Sequence, residues 1–286
     1  MNILNILDEI EKVDGEIYER LSPRRSAMKD FFNVGKKISL AALPLALGSM
    51  FQKAYGQTNP ANVNEVLNFA LTLEYLEYHF YNHALTNSTI TFPNAASRQA
   101  ITTIRDHELA HVTLLRTALG ANAVTPFVDG DFDFTGAATF GTAFADVFSN
   151  YQTFLKVATA FEDTGVRAYK GQAPVLKGMQ VLTTALQIHS VEARHAAHLR
   201  QMTAASLNVP LKPWIAYAAN GNDTGIAQVN PVYAGEQNTK ILDIEITGIN
   251  GTAVTQTAAA ESFDEFLTGS AVKTIANIFI RTRKLA

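Results

Sequence analysis

The sequence predicts an all-α protein built on a four-helix bundle, with a long crossover between the second and third helices and a C-terminal extension. Apolar residues recur at the 3.6-residue period of an α-helix in four segments. Two of these segments carry a Glu-x-x-His pair, Glu108 with His111 and Glu192 with His195. On a helix this spacing puts both side chains on one face. All seven histidines of the chain lie in the predicted helices.

Composition narrows the function of the 286-residue chain. A net charge of −3 argues against nucleic acid as a partner, because nucleic-acid binding needs a basic surface. The chain contains no cysteine, which excludes disulfides, thiolate metal sites and cysteine nucleophiles. Any metal ion would therefore be held by histidine and carboxylate, a ligand set that suits iron, manganese or zinc.

Residues 1–56 are predicted to be a leader that directs export. An arginine pair at 24–25 precedes an apolar stretch at 38–51, and small residues lie just before Gln57. This pattern resembles a twin-arginine signal, which exports a folded protein. The mature protein would then be periplasmic or associated with the envelope, without a stable membrane span. The alternatives are an uncleaved anchor helix or a buried apolar helix, and without a signal the protein would be cytoplasmic.

The bundle is predicted to occupy residues 57–209. Its four helices are predicted at residues 63–85, 95–119, 142–170 and 174–207. Asn94 is suited to cap the second helix, and Gly120 is suited to end it. The proline- and glycine-containing stretch 120–140 predicts a long crossover, so the third helix would start from the same end as the second.

The helices repeat as pairs. In the first helix Tyr81 follows Glu74 by seven residues, and in the third helix Tyr169 follows Glu162 by the same distance. Seven residues are about two helical turns, so each tyrosine shares a face with its glutamate. Each of these helices is followed by a helix with a Glu-x-x-His pair. This repeat predicts that four glutamates and two histidines converge in the bundle core.

Residues 210–286 are predicted to form a C-terminal extension with a small β-hairpin and a final helix. Alternating residues around Ile244 and the Asn250-Gly251 pair are typical of a hairpin with its turn at that pair. A capping box that begins at Ser262 predicts the start of the last helix. The extension is expected to act as a lid or as a contact to another subunit.

With these motifs the sequence resembles the ferritin-like superfamily, in particular bacterial ferritin-like domain proteins that often carry an export signal. The resemblance rests on the segments 67–77, 107–111, 161–169 and 191–195. It implies a ferritin-like four-helix bundle with a centre of two metal ions, usually iron, with manganese as the alternative. The implied metal ligands are Glu74, Glu108, His111, Glu162, Glu192 and His195. Glu108 and Glu192 would bridge the two metals, and Glu74 and Glu162 would each bind one.

Two further side chains remain alternative or additional ligands. Glu77 lies one turn from Glu74, and His189 lies one turn before Glu192. Either side chain would share a helix face with a predicted ligand. The seven-residue spacing from Glu74 to Tyr81 equals that from Glu162 to Tyr169, which favours Glu74 as the ligand and leaves Glu77 as the alternative.

Tyrosines and aspartates near the ligands are predicted to support them. Tyr81 and Tyr169 are the candidate catalytic residues, because each can hydrogen-bond a ligand carboxylate or lie near bound oxygen. The alternative is that both are ordinary core tyrosines. Asp106 and Asp163 are candidates to accept a hydrogen bond from the outer ring nitrogen of a ligand histidine, and the alternative is that both are acids on exposed helix faces.

These expectations lead to three functional hypotheses. The first is a diiron protein that oxidises a small substrate with oxygen or peroxide, and the second is ferroxidation or iron storage. The third is a metal-poor structural or stress-related bundle that acts in envelope interactions. Under any of the three hypotheses, a homo-oligomer is one expected assembly. A complete set of six candidate ligands favours metal binding, because the structural hypothesis predicts a broken set.

Overall fold

The computed structural model describes residues 61–216, 224–251 and 253–286. The predicted leader at 1–56 lies outside these residues. Within the described residues, no helix combines the length and the apolar character needed to cross a membrane.

The predicted all-α bundle is confirmed. Its four long helices are α1 (Ala61–Thr86), α2 (Ala95–Leu119), α4 (Tyr151–Gln172) and α5 (Val181–Leu207), and the short helix α3 (Ala137–Phe140) lies in the crossover. Helix α1 packs along α2, and α4 packs along α5. Contacts of α1 with α4 and of α2 with α5 join the two pairs around one core.

Helix α2 has the predicted ends. The Asn94 side chain accepts a hydrogen bond from the backbone N–H of Ser97 at 2.8 Å, which satisfies a donor of the first turn. At the other end Gly120 adopts a φ of 54°, and its N–H bonds the Arg116 carbonyl. A left-handed φ at this position favours glycine.

The third bundle helix starts later than predicted. Helix α4 begins at Tyr151 rather than near residue 142, because the Asn150 side chain accepts hydrogen bonds from Gln152 N and Thr153 N. The preceding residues form turns, and Phe144 and Val147 are fully buried there. Their apolar spacing therefore reflects core packing without a helix.

The fourth bundle helix also starts later than predicted. Residues 173–180 form turns, and helix α5 begins at Val181 rather than at Pro174. Gly178 adopts a φ of 82° in this connection, which is incompatible with a continuous helix. The predicted end is correct, since Asn208 closes α5 with a left-handed φ of 54°.

The C-terminal extension contains the predicted hairpin, although at a different place. Strands β1 (Lys240–Ile241) and β2 (Ile244–Glu245) pair in an antiparallel ladder. Leu242 and Asp243 form the turn, and both adopt a positive φ. The predicted turn at Asn250-Gly251 instead lies in a 3₁₀ helix, Ile249–Gly251.

Two short helices end the extension, α6 (Gln256–Glu261) and α7 (Gly269–Ala276). The predicted cap at Ser262 is wrong, because the Ser262 hydroxyl donates to the Ala258 carbonyl at the end of α6. Thr268 caps α7 instead by accepting a hydrogen bond from Ala271 N at 3.2 Å.

A buried arginine holds the extension on the bundle. Arg167 of α4 is fully buried, and its guanidinium donates to the carbonyls of Val232, Ala234 and Glu265. Its Nε also lies 3.0 Å from a carboxylate oxygen of Glu236. A buried guanidinium needs such partners, so α4 and the extension are coupled through this side chain.

Candidate metal centre

The six predicted ligands lie together in the bundle core. Glu74 comes from α1, Glu108 and His111 from α2, Glu162 from α4, and Glu192 and His195 from α5. The four carboxylates are fully buried, and the two imidazoles are almost fully buried. We call these six residues the carboxylate–histidine cluster. Buried carboxylates are costly unless they are paired, protonated or bound to a metal.

The cluster consists of two overlapping groups, in each of which the possible ligand atoms lie within 4.8 Å of one another. The first half-site is Glu74, Glu108, His111 and Glu192, and the second half-site is Glu108, Glu162, Glu192 and His195. Glu108 and Glu192 belong to both half-sites. This sharing is what a centre for two neighbouring metal ions requires.

In the first half-site one ring nitrogen faces three carboxylates. His111 Nδ1 lies 3.0 Å from Glu74 Oε2, 3.0 Å from Glu108 Oε2 and 3.1 Å from Glu192 Oε1. One N–H carries one proton and cannot serve three oxygens at full strength. The three oxygens and the nitrogen instead surround a common point.

The second half-site repeats this arrangement. His195 Nδ1 lies 2.9 Å from Glu108 Oε1, 3.1 Å from Glu162 Oε2 and 3.7 Å from Glu192 Oε2. The two imidazole ring centres are 6.5 Å apart. Each histidine therefore faces its own terminal carboxylate and both shared carboxylates.

The shared carboxylates carry oxygens that lack hydrogen-bond partners. Among the described residues no partner is placed to bond Glu108 Oε1, Glu192 Oε1 or Glu192 Oε2, although all three atoms are buried. His111 Nδ1 lies 3.1 Å from Glu192 Oε1, and His195 Nδ1 lies 2.9 Å from Glu108 Oε1, within ion-pairing distance but without a hydrogen bond. Buried polar atoms without partners are rare in folded proteins, and an ion is one explanation for them.

Burial and mutual charge shift the pKa values in the cluster. Burial raises the pKa of Glu74 to about 8, although the His111 charge acts in the opposite direction. Burial likewise raises the pKa of Glu162 above its usual range. Burial alone would lower the pKa of His195, but the charge of the Glu162 carboxylate and the hydrogen bond to it raise this pKa to about 12. A metal-free cluster therefore retains protons that a cation would displace.

The two tyrosines cross between the half-sites. The Tyr81 hydroxyl of α1 donates to Glu162 Oε1 of α4 at 2.5 Å, and the Tyr169 hydroxyl of α4 donates to Glu74 Oε1 of α1. Each tyrosine thus bonds the glutamate of the opposite helix rather than that of its own helix. Burial, followed by the facing carboxylate, raises the pKa of both phenols, which keeps both hydroxyls as donors at neutral pH.

Comparison with known proteins places this bundle in a family. The family model of the ferritin-like domain matches residues 62–205, which is 144 of the 286 residues and includes the whole cluster. The chain belongs to the ferritin-like domain family. No curated protein and no solved structure gives a significant match to it.

One contact in this ferritin-like bundle was not predicted from sequence. His107 Nδ1 lies 2.9 Å from the outer nitrogen, Nε2, of His195, and the two rings are stacked. The prediction that Asp106 or Asp163 takes this place is wrong. Asp106 is exposed beside Arg105, while Asp163 binds Arg200 and Tyr233. The position of His107 next to Glu108 was the available signal, but nothing in the sequence pairs it with α5.

The additional candidates lie outside the two half-sites. Glu77 is buried beside the cluster, against Gly165 of α4. A Cβ at Gly165 would lie 3.1 Å from Glu77 Oε1, so the glycine leaves room for this carboxylate. His189 is half-buried, and its Nδ1 lies 2.9 Å from the Val166 carbonyl. Of the two alternatives in the first helix, Glu74 is the one that belongs to a half-site.

Proposed function

We propose that this ferritin-like protein binds two metal ions in a carboxylate-bridged centre and uses them in an oxidation with oxygen or peroxide. The proposed ligands are Glu74, Glu108, His111, Glu162, Glu192 and His195. Glu108 and Glu192 would bridge the ions, since each belongs to both half-sites. Glu74 with His111, and Glu162 with His195, would each complete one ion.

The observation that carries this proposal is the set of partnerless buried oxygens on Glu108 and Glu192. A fold that brings these oxygens out of water without a hydrogen bond loses solvation free energy of roughly 2–7 kcal/mol per polar group. Metal cations between the two carboxylates would remove that loss. A purely structural bundle gives no reason to keep such atoms.

The distances in the half-sites fit metal coordination. Ligand atoms at about 2.1 Å from an octahedral ion lie about 3.0 Å apart along each edge of the octahedron. His111 Nδ1 lies 3.0–3.1 Å from three carboxylate oxygens. A set of four carboxylates and two imidazoles, without sulfur, suits iron, with manganese as the second choice.

The chemistry follows from what two such ions would supply. A pair of ferrous ions, on oxidation to ferric ions, would supply two electrons, enough to reduce one dioxygen to hydrogen peroxide with the uptake of two protons. The surrounding residues would position the ligands and shield the centre from water. Tyr81 and Tyr169 would fix the terminal carboxylates through their hydroxyls, and the surrounding core would exclude bulk water.

Metal analysis tests the proposal. Purified protein reconstituted with ferrous iron without oxygen is expected to hold two ions per chain, measured by inductively coupled plasma mass spectrometry. The Glu192→Gln variant removes a shared charge with little change of shape and is expected to lose both ions. Glu77→Gln is the matched control, because Glu77 is a buried glutamate outside both half-sites, and it should keep both ions.

Circular dichroism of the same samples separates loss of metal from loss of fold. A folded wild-type protein without bound iron or manganese would refute the proposed centre and favour the structural hypothesis. Equal loss of metal in Glu77→Gln and Glu192→Gln would refute the assignment of the ligands.

A further inference from the structure

The bundle core contains an apolar cavity of about 20 Å³ between the four long helices. Its walls include Ala70, Leu73, Leu115, Ala168, Ala185 and Ile188. A void of about 10–15 Å³ already admits one water-sized molecule, so this cavity has room for one small occupant.

The cavity lies beside the carboxylate–histidine cluster. Ala70 precedes Glu74 by four residues, Leu115 follows His111 by four, and Ile188 precedes Glu192 by four. Four residues along a helix are about one turn, or about 5.4 Å. Tyr169 connects the cavity to the cluster directly, because its side chain lines the cavity while its hydroxyl donates to Glu74. The cavity is therefore one helical turn from the first half-site.

The internal repeat gives the two ends of the cluster different walls. Wall residues Val66, Leu73, Ala168 and Ala185 correspond in the repeat to Phe154, Phe161, Phe80 and Ile101. The larger set lies beside the second half-site and is buried. The Phe80 ring centre lies 5.1 Å from that of Phe154 and 4.9 Å from that of Phe161. Aromatic rings thus fill one end, and smaller side chains leave the other end open.

Four equivalent pairs run in the opposite direction. The cavity is also lined by Phe69, Gln172, Val181 and Thr184, and the residues at the equivalent positions are the smaller Val157, Ala84, Ser97 and Ala100. The two ends therefore differ in which positions carry the large side chains, and only at the filled end do three phenylalanine rings, those of Phe80, Phe154 and Phe161, come from these equivalent positions and pack against one another.

The walls select an apolar occupant. No polar atom faces the cavity, although Gln172 and Thr184 border it. A buried water needs two to four polar partners, so a water molecule would gain little here. A small uncharged molecule without hydrogen-bonding groups loses nothing on entering.

We propose that this cavity binds a small apolar molecule of the size of dioxygen beside the carboxylate–histidine cluster. The choice of dioxygen rests on the proposed function, whereas the binding of an apolar gas does not. The cavity would hold the gas one helical turn from the ions that consume it. Hydrogen peroxide, which is polar, would gain nothing from these walls.

Xenon is the probe for the cavity. In methyl-labelled, metal-free protein, xenon is expected to give saturable NMR shifts of the Leu73, Leu115 and Ile188 methyl groups. The Ala185→Ile variant introduces the residue found at the equivalent position of the filled end and should weaken xenon binding at least tenfold. Ala110→Ile adds the same atoms at an exposed position of α2 and should leave the shifts unchanged.

Absence of saturable shifts in the wild type, or equal shifts in Ala185→Ile, overturns the proposal. If Ala185→Ile does not fold, Ala168→Val provides a smaller filling change at another wall. Since xenon needs no metal, a protein that binds xenon but no iron refutes the proposed function and leaves the cavity assignment intact.

The rate of oxygen reaction identifies the natural occupant. In protein loaded with ferrous iron, Ala185→Ile is expected to lower the ratio of the dioxygen rate to the hydrogen peroxide rate at least fivefold. Ala110→Ile should leave this ratio at the wild-type value. An unchanged ratio in Ala185→Ile would overturn dioxygen as the occupant, even where xenon binds.

Discussion

The two half-sites share their ligands but differ in their surroundings. In each, an imidazole Nδ1 faces a terminal glutamate and both shared glutamates, and a tyrosine from the opposite helix donates to the terminal one. The repeat has therefore kept the side chains that point into the cluster. The repeat has not kept several of the residues that surround these side chains.

Three differences separate the half-sites. An apolar cavity adjoins the first, and packed aromatic rings adjoin the second. His107 contacts His195 of the second, and the repeat places Val191, which cannot hydrogen-bond, at the equivalent position. Glu77 next to the cluster has Gly165 as its equivalent. The comparison teaches that the two halves of a symmetric carboxylate–histidine cluster can lie in unequal environments.

Removal of an aromatic ring at the packed end should have the largest effect. Phe80 is fully buried among Phe154 and Phe161, so Phe80→Ala is expected to lower the free energy of unfolding by about 3–5 kcal/mol. Urea denaturation of the metal-free protein measures this loss. Phe266→Ala is the control, because Phe266 is 55% exposed, and it should change stability far less. Similar losses in both variants would contradict the tight packing of this end.

Removal of His107 should have an intermediate effect on one half-site. His107→Val makes this position identical to Val191 and removes the contact to His195 Nε2. Loss of such an orienting contact typically weakens metal binding by about 10–100-fold. Stepwise titration of the metal-free protein with manganese is expected to show one weakened site and one unchanged site.

The exposed His198 on the same helix as His195 offers a control. His198→Val should leave both binding steps at their wild-type values. If His107→Val weakens both steps equally, or neither, the two half-sites are not distinguished by this contact.

The pH dependence of metal binding should be the smallest effect. Because burial raises the pKa of Glu74 to about 8, its carboxyl holds a proton at pH 7 and loses it by pH 9. A metal must displace this proton, so apparent affinity should rise from pH 6 to pH 9, and Glu74 should release about one proton at pH 7. Calorimetry in two buffers of different ionisation enthalpy counts the released protons.

Burial raises the pKa of Glu162 as well, so the proton release of the two half-sites can be compared directly. Glu74→Gln and Glu162→Gln should each reduce the proton release at pH 7. The raised pKa of Glu74 also links the stability of the metal-free fold to pH. Protonation of the Glu74 carboxyl stabilises that fold fully below about pH 4.5, and this contribution is lost as the pH rises through about 8. Affinity and proton release that do not change with pH would contradict the raised pKa.

Sequence patterns predicted the bundle, the crossover and the end of α5, because these depend on local periodicity and capping. They misplaced the starts of α4 and α5. The three-residue spacing of Phe144 and Val147 is typical of a helix, yet both residues lie in turns, where their side chains are fully buried in the core. Helix propensity is a weak predictor where burial of the same side chains stabilises another backbone conformation.

By itself, the sequence determined the composition of the candidate site: two Glu-x-x-His pairs, two matched Glu…Tyr helices and no cysteine. These features are local, because residues three, four or seven apart share a helix face. The matched Glu…Tyr spacing also favoured Glu74 over Glu77, and Glu74 is the one that lies in a half-site. Tertiary structure alone decided which tyrosine meets which glutamate, and that His107 reaches His195. It also opened the cavity at one end. These outcomes depend on how four helices are rotated and spaced against one another, and packing across the core sets that arrangement rather than any spacing along the chain.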